Sequence, residues 1–118
     1  MSERKLPESE VKVMDFIWEQ GRTTAKECAA YMETNFGWKK NTTYTVLKNL
    51  NEKGVIKREE PNFQCIPLIE REQIGRSEAK NILNRFYKGS PAAMFSAFLD
   101  DKDISDKELD ELRKLLNK

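Results

Sequence analysis

Histidine is absent from this chain of 118 residues. Zinc sites and general-base catalysis most often recruit that side chain, so its absence weighs against both. Cysteine is scarce: Cys28 and Cys65 stand far apart and make no CxxC or comparable ligand spacing. They read as small buried hydrophobes in a reducing compartment, not as a metal site. No apolar run approaches the roughly 18 residues that a membrane span needs. The opening MSERKLPESE lacks the apolar stretch of a secretory signal. The expected location is therefore the cytoplasm, without membrane insertion. There is no Gly-rich phosphate loop and no clustered nucleophile and base, so neither an enzyme nor a cofactor is expected.

What is present is charge. Charged residues make up 35% and hydrophobic ones 38%, which implies a modest core under a highly solvated surface. The length suits one domain, or one domain with a small appendage. The net charge of +1 hides an uneven distribution. Between Trp38 and Arg58 stand six bases (Lys39, Lys40, Lys48, Lys53, Lys57, Arg58) against the single acid Glu52, a local +5. Between Phe98 and Leu112 seven acids face two lysines, a local −5. Such a split suggests one end for a polyanion and the other for something else.

The stretch LPESEVKVMDFIWEQG reads as a helix, with Pro7 in its first turn, Glu8 and Glu10 at its positive end, and Gly21 at its exit. Val11, Met14 and Trp18 share a stripe, with Val13 and Ile17 beside it. In TTAKECAAYMETNFG, Thr24 and Glu27 fit a capping box, and Cys28, Ala29, Tyr31 and Met32 form a narrow apolar face. A third helix is expected from about Asn41 to Lys53, with Asn41 as N-cap and Gly54 just past its end. On a wheel of about 100° per residue, Thr43, Val46, Leu47 and Leu50 fall together and face the core. Asn41, Tyr44, Thr45 and Lys48 fall opposite. VIKRE and FQCIPLI then read as two strands around Glu60-Pro61-Asn62, with Pro67 confining the second to an edge or its own end.

Three helices and a hairpin in this order predict a mainly α fold: a winged helix-turn-helix over residues 1–69, followed by a small helical segment over residues 70–118. The third helix would present Asn41, Thr42, Tyr44, Thr45 and Lys48 outward, with Lys39 and Lys40 at its start. Major-groove reading asks for donors and acceptors toward base edges and cations toward phosphates. Lys57 and Arg58 on the next strand would reach the backbone beside it. Winged helices also bind proteins, so the residues alone leave an interaction adaptor open beside DNA binding.

Beyond residue 70, EREQIGRSEAKNILNRFYKG ends at Gly89, Ser90 caps, and Pro91 starts the next helix. That helix carries Met94, Phe95, Phe98 and Leu99 at helical spacing. Ser105 and Glu108 form a second capping box ahead of Leu109, Leu112, Leu115 and Leu116. About fifty residues cannot bury so many large side chains alone. Pairing with a second copy through Phe95, Phe98, Leu99, Leu109, Leu112 and Leu116 is the expectation; folding back on the first domain is the alternative.

This order of motifs resembles the penicillinase-repressor family, the β-lactamase and methicillin-resistance repressors with their copper-responsive relatives. The likeness covers nearly the whole chain. It rests on LPESEVKVMDFIW, on Trp38, Thr42 and Thr45, on LNEKGVIKR and YKGS, and on the tail DISDKELDELRKLLNK. It implies a homodimeric winged-helix repressor of a palindromic operator in double-stranded DNA, in one branch that of β-lactam resistance genes. Many relatives carry Arg where this chain has Tyr44 and Asn49, so their base contacts do not carry over there. The copper-responsive branch has a tail with paired CxC motifs, whereas this tail has no cysteine, so another signal is implied. In the β-lactam branch a membrane sensor protease cuts the dimerisation segment, commonly at an Asn-Phe bond; the aligned candidate cleavage site here is Ala97-Phe98.

Overall fold

The computed structural model describes residues 5–100 and 103–117. In chain order it has α1 (Glu8–Gln20), β1 (Thr23–Thr24), α2 (Ala25–Phe36), α3 (Lys40–Glu52), β2 (Ile56–Glu59), β3 (Gln64–Pro67), α4 (Arg71–Phe86), α5 (Pro91–Asp100) and α6 (Asp106–Leu116). Asp101 and Lys102 of the acid-rich stretch lie outside the described residues. The chain forms two compact units, residues 1–78 and 79–118, with the division falling inside α4.

In the first unit the helices bury most of the apolar faces that their periodicity predicts, although Val11 and Trp18 of the expected α1 stripe are only half-buried. Val13, Met14 and Ile17 of α1, Cys28 and Met32 of α2, and Leu47 and Leu50 of α3 are completely enclosed. Val55, Ile56 and Cys65 close that core from the sheet side. Tyr31, expected on the apolar face of α2, lies at its margin and stacks on Phe16 with ring centroids 4.4 Å apart. Trp18 is half-buried, its Nε1–H donating to the Ile69 carbonyl at 2.9 Å. The α2 capping box forms in both directions: Thr24 Oγ1 accepts from the Glu27 N–H, and Glu27 Oε1 accepts from the Thr24 N–H.

Three details differ from expectation. Pro7 is the N-cap of α1, one place before the helix proper. Helix α3 begins one residue early, so Lys39 and not Asn41 is its N-cap. The reason is the Lys39 carbonyl, which accepts from the N–H groups of Thr42 and Thr43 at 3.0 and 3.4 Å. The sheet also has three strands and not two. Thr23 and Thr24 pair antiparallel with Cys65 and Gln64, giving the order β1-β3-β2. Pro67 therefore ends the central strand, where its missing N–H interrupts no ladder.

The winged helix-turn-helix is thus complete within the first unit. The second unit is of another kind. None of its described residues is buried. Phe86, Phe95, Phe98, Leu99, Leu115 and Leu116 are between 39% and 84% exposed. Its helix starts follow the capping logic: Ser90 Oγ accepts from the Ala93 N–H, and Ser105 Oγ from the Glu108 N–H. No helix among the described residues is long and apolar enough to cross a membrane.

Candidate nucleic-acid interface

Helix α3 is amphipathic in the required sense. Thr43, Val46, Leu47 and Leu50 are buried, while Asn41, Thr42, Thr45 and Lys48 are exposed on the far side. Lys39 and Lys40, at its start, are exposed as well. That start is electrostatically open: no side chain caps it and no acid stands in its first turn. Unsatisfied N–H groups at a helix start carry partial positive charge and favour an anion. Two lysines beside them strengthen the field. The N-terminus of α2 is the opposite case, with a capping box formed by Thr24 and Glu27 and the Ala25 N–H taken by the Phe63 carbonyl.

The six bases of this region do not all face outward. Lys53 Nζ lies 2.7 Å from Glu10 Oε1, a carboxylate that is buried in the first unit. Lys57 Nζ lies 3.2 Å from Glu59, which also accepts from Arg22 at 2.9 Å. Arg58 Nε donates to Glu60 Oε2 at 2.6 Å. The Lys57 ammonium holds the Glu59 carboxyl below its ordinary range, with Arg22 adding to the effect. The Arg58 hydrogen bond does the same for Glu60. Lys39, Lys40 and Lys48 form no ion pair among the described residues. The cations free to meet phosphate therefore concentrate on α3, and the wing's pair is partly neutralised by its own acids.

Tyr44 differs from its neighbours on α3 in being half-buried. Its ring meets the Phe63 ring edge-on, with centroids 6.0 Å apart and planes at 65°. Lys40 Nζ sits 5.9 Å from the Tyr44 centroid, and the Arg58 guanidinium 3.9 Å from that of Phe63. Two residues that sequence reasoning passed over belong to this region. The sequence pattern makes Phe63 a strand residue, but it lies in the turn just before β3, and its contact with α3 depends on the turn's backbone. Lys26, in the first turn of α2, is exposed and helps line the concavity between Tyr44 and the wing turn.

The remaining candidates lie in the second unit. Phe95, Phe98, Leu112 and Leu115 line an apolar concavity of about 340 Å³. Leu109 and Leu112 are half-covered, whereas Leu99 and Leu116 stand out in solvent. The Ala97-Phe98 bond lies inside α5, with Ala97 half-buried and the Phe98 carbonyl accepting from the Asp103 N–H at 3.0 Å. No group of metal-ligating side chains occurs among the described residues.

Comparison with known proteins fits this geometry. A family model described as Penicillinase repressor matches residues 6–118. The methicillin resistance regulatory protein MecI of Mammaliicoccus sciuri is 31% identical over 116 residues, spanning 97% of this chain and 94% of its own. The penicillinase repressor of Bacillus licheniformis is 27% identical over 118 residues, spanning 96% of this chain and 92% of its own. The solution structure of the DNA binding domain of the repressor BlaI matches with a TM-score of 0.56 at 22% identity, covering 59% of this chain and 88% of that one. At that identity the match speaks for the winged-helix fold alone.

Proposed function

The chain belongs to the penicillinase-repressor family, and we propose that it is a DNA-binding transcriptional repressor, not an enzyme, that occupies a palindromic operator as a homodimer. The observation that carries the DNA reading is the uncapped start of α3, flanked by Lys39 and Lys40, with Asn41, Thr45 and Lys48 exposed along the same outward side. In this reading Lys39, Lys40 and Lys48 meet phosphates, while Asn41, Thr42, Tyr44 and Thr45 face base edges. Lys57 and Arg58 contact the adjacent backbone once they leave Glu59 and Glu60. Such a role places the protein with the DNA, in the cytoplasm.

Dimerisation through α5 and α6 is supported by the second unit's lack of any buried side chain among its described residues. Large apolar groups at this exposure want a partner, and a second copy supplies the same surface by symmetry. Relief of repression by proteolysis within α5, by a membrane sensor protease, belongs to the same reading. The resistance genes controlled by the named relatives are the first candidates for regulation.

The decisive experiment is selection of duplexes from a randomised library by the full chain. Enrichment of one sequence with two-fold symmetry is expected. A chain that enriches no duplex, at any salt concentration, would be an adaptor for another protein instead.

A further inference from the structure

We infer that Phe63 is a positioning residue for Tyr44, and that through Tyr44 the wing turn sets part of the base preference of α3. This rests on the DNA-binding reading above and goes beyond it, since Phe63 need not touch DNA.

The turn holds Phe63 in an unusual place. Its φ is +48°, in the left-handed region that side chains with a Cβ avoid. Two hydrogen bonds fix it there. The Phe63 carbonyl accepts from the Ala25 N–H at 2.9 Å, satisfying one of the open donors at the start of α2. The Phe63 N–H donates to Glu60 Oε1 at 3.4 Å. The ring is thereby aimed at α3, where its contact with Tyr44 has the edge-to-face geometry that aromatic quadrupoles prefer. Arg58, itself held by Glu60, lies on the Phe63 ring. The result is a pair of rings flanked by two cations, Lys40–Tyr44–Phe63–Arg58, running from the recognition helix into the wing.

An exposed tyrosine on a helix samples more than one rotamer and loses that freedom on binding. Tyr44 is spared much of this loss, because Phe63 and Lys40 bracket its ring before DNA arrives. No hydrogen bond to the Tyr44 hydroxyl occurs among the described residues, and the only buried side-chain polar atom left without a partner there is Thr43 Oγ1. The hydroxyl therefore stays accessible at the end of a ring whose direction is fixed. Asn41, Thr45 and Lys48 have no such bracket. Tyr44 is the preorganised reader among them, and Phe63 is what preorganises it.

The test compares the base preferences of the full-length chain with those of Phe63→Leu, Phe63→Tyr and Tyr44→Ala, using duplexes selected from a randomised library. Phe63→Leu and Tyr44→Ala should relax preference at the same base pairs, each by about threefold to tenfold, the range that one edge-to-face ring pair is worth. Combining them should add nothing further. Phe63→Tyr should restore the original preferences, and in the Phe63 variants affinity for random duplex should stay within about twofold. Should Phe63→Leu not fold, Phe63→Met, which keeps apolar bulk without an aromatic edge, answers the same question. Unchanged base preferences in Phe63→Leu or Phe63→Met, or equal losses on selected and random duplex, overturn the inference while leaving the DNA reading intact. Failure of the unaltered chain to bind any duplex overturns both.

Discussion

Lys53 at the end of α3 donates to Glu10 of α1 at 2.7 Å, and the Glu10 side chain is only 5% exposed against 37% for Lys53. The pair ties the recognition helix to the first helix, so one of the bases in the cationic stretch is engaged within the fold. Cutting such a pair on the cationic side strands a buried carboxylate, which costs more than the pair's net contribution.

Lys53→Met should therefore lower stability by about 1–3 kcal/mol, read as a shifted midpoint in urea at unchanged slope. Glu10→Gln should cost less, because no charge is left buried. DNA affinity of the folded variants should match that of the unaltered chain. A large affinity loss in Lys53→Met would instead place Lys53 on the phosphate backbone.

Affinity should fall steeply with salt. If Lys39, Lys40 and Lys48 of two copies neutralise roughly six phosphates, the slope of log K against log salt is about −5. If Lys57 and Arg58 join them, roughly ten phosphates give a slope near −9. Anisotropy titrations on the selected duplex separate the two. Lys40→Ala should weaken selected and random duplex alike, whereas Thr45→Ala should cost about 1–3 kcal/mol on the selected duplex only. Equal losses for Thr45→Ala on both would remove it from the base readers.

The wing's acids should act as a brake. Glu60→Gln releases Arg58 from its carboxylate partner and should tighten binding to any duplex while steepening the salt slope of the dimer by about two. The pH dependence has a defined sign. Glu59 and Glu60 have carboxyl groups held below their ordinary range, by Lys57 and Arg58 respectively, so their pairs are intact above it and dissolve only as pH falls through those lowered values. With no histidine in the chain, affinity at constant ionic strength should be flat from about pH 8 to pH 6. A pronounced step in that window would require a titrating group outside this scheme.

How much of this was legible in the sequence depended on how local its cause is. The core face of α3 was readable because Thr43, Val46, Leu47 and Leu50 repeat at the helical period and all are buried. The capping box of α2 was readable because its two residues stand three apart. Strand β1 was not, since Thr23 and Thr24 are too short a run to show alternation. Nor was the half-burial of Tyr44, which depends on Phe63 arriving from the wing through a left-handed backbone. The Lys53–Glu10 pair failed for the same reason: its partners are distant in sequence, and the charge count saw only a basic stretch.

Thr43 offers a test of the core itself. It is fully buried, and its Oγ1 is left without a hydrogen-bond partner among the described residues. A buried hydroxyl in that state costs free energy that a methyl of similar size does not. Thr43→Val should stabilise the chain by up to about 1 kcal/mol, seen as a raised midpoint in thermal or urea unfolding. Destabilisation would show that the hydroxyl is bonded after all.

In the proposed reading, assembly and release both rest on the second unit. Phe95 and Phe98 are 39% and 40% exposed, and with Leu112 they line one apolar concavity. If a second copy fills it, Leu112→Asp places a carboxylate at the contact and should shift the chain toward monomer in analytical ultracentrifugation. An unchanged dimer would put the interface elsewhere. If a second copy does fill the concavity, the same contact would also set operator affinity, because a dimer on a palindrome gains from tethering: one bound half-site raises the effective concentration of the other. Cutting at Ala97-Phe98 would forfeit that gain without touching α3. The bond lies within a helix, so α5 must open locally before a protease can take it as an extended substrate. Residues 1–97 keep the entire buried core of the first unit and should fold, yet bind the selected duplex about a hundredfold more weakly than the whole chain. If the fragment binds as tightly, cleavage there cannot relieve repression, and the signal must act through a ligand or another partner.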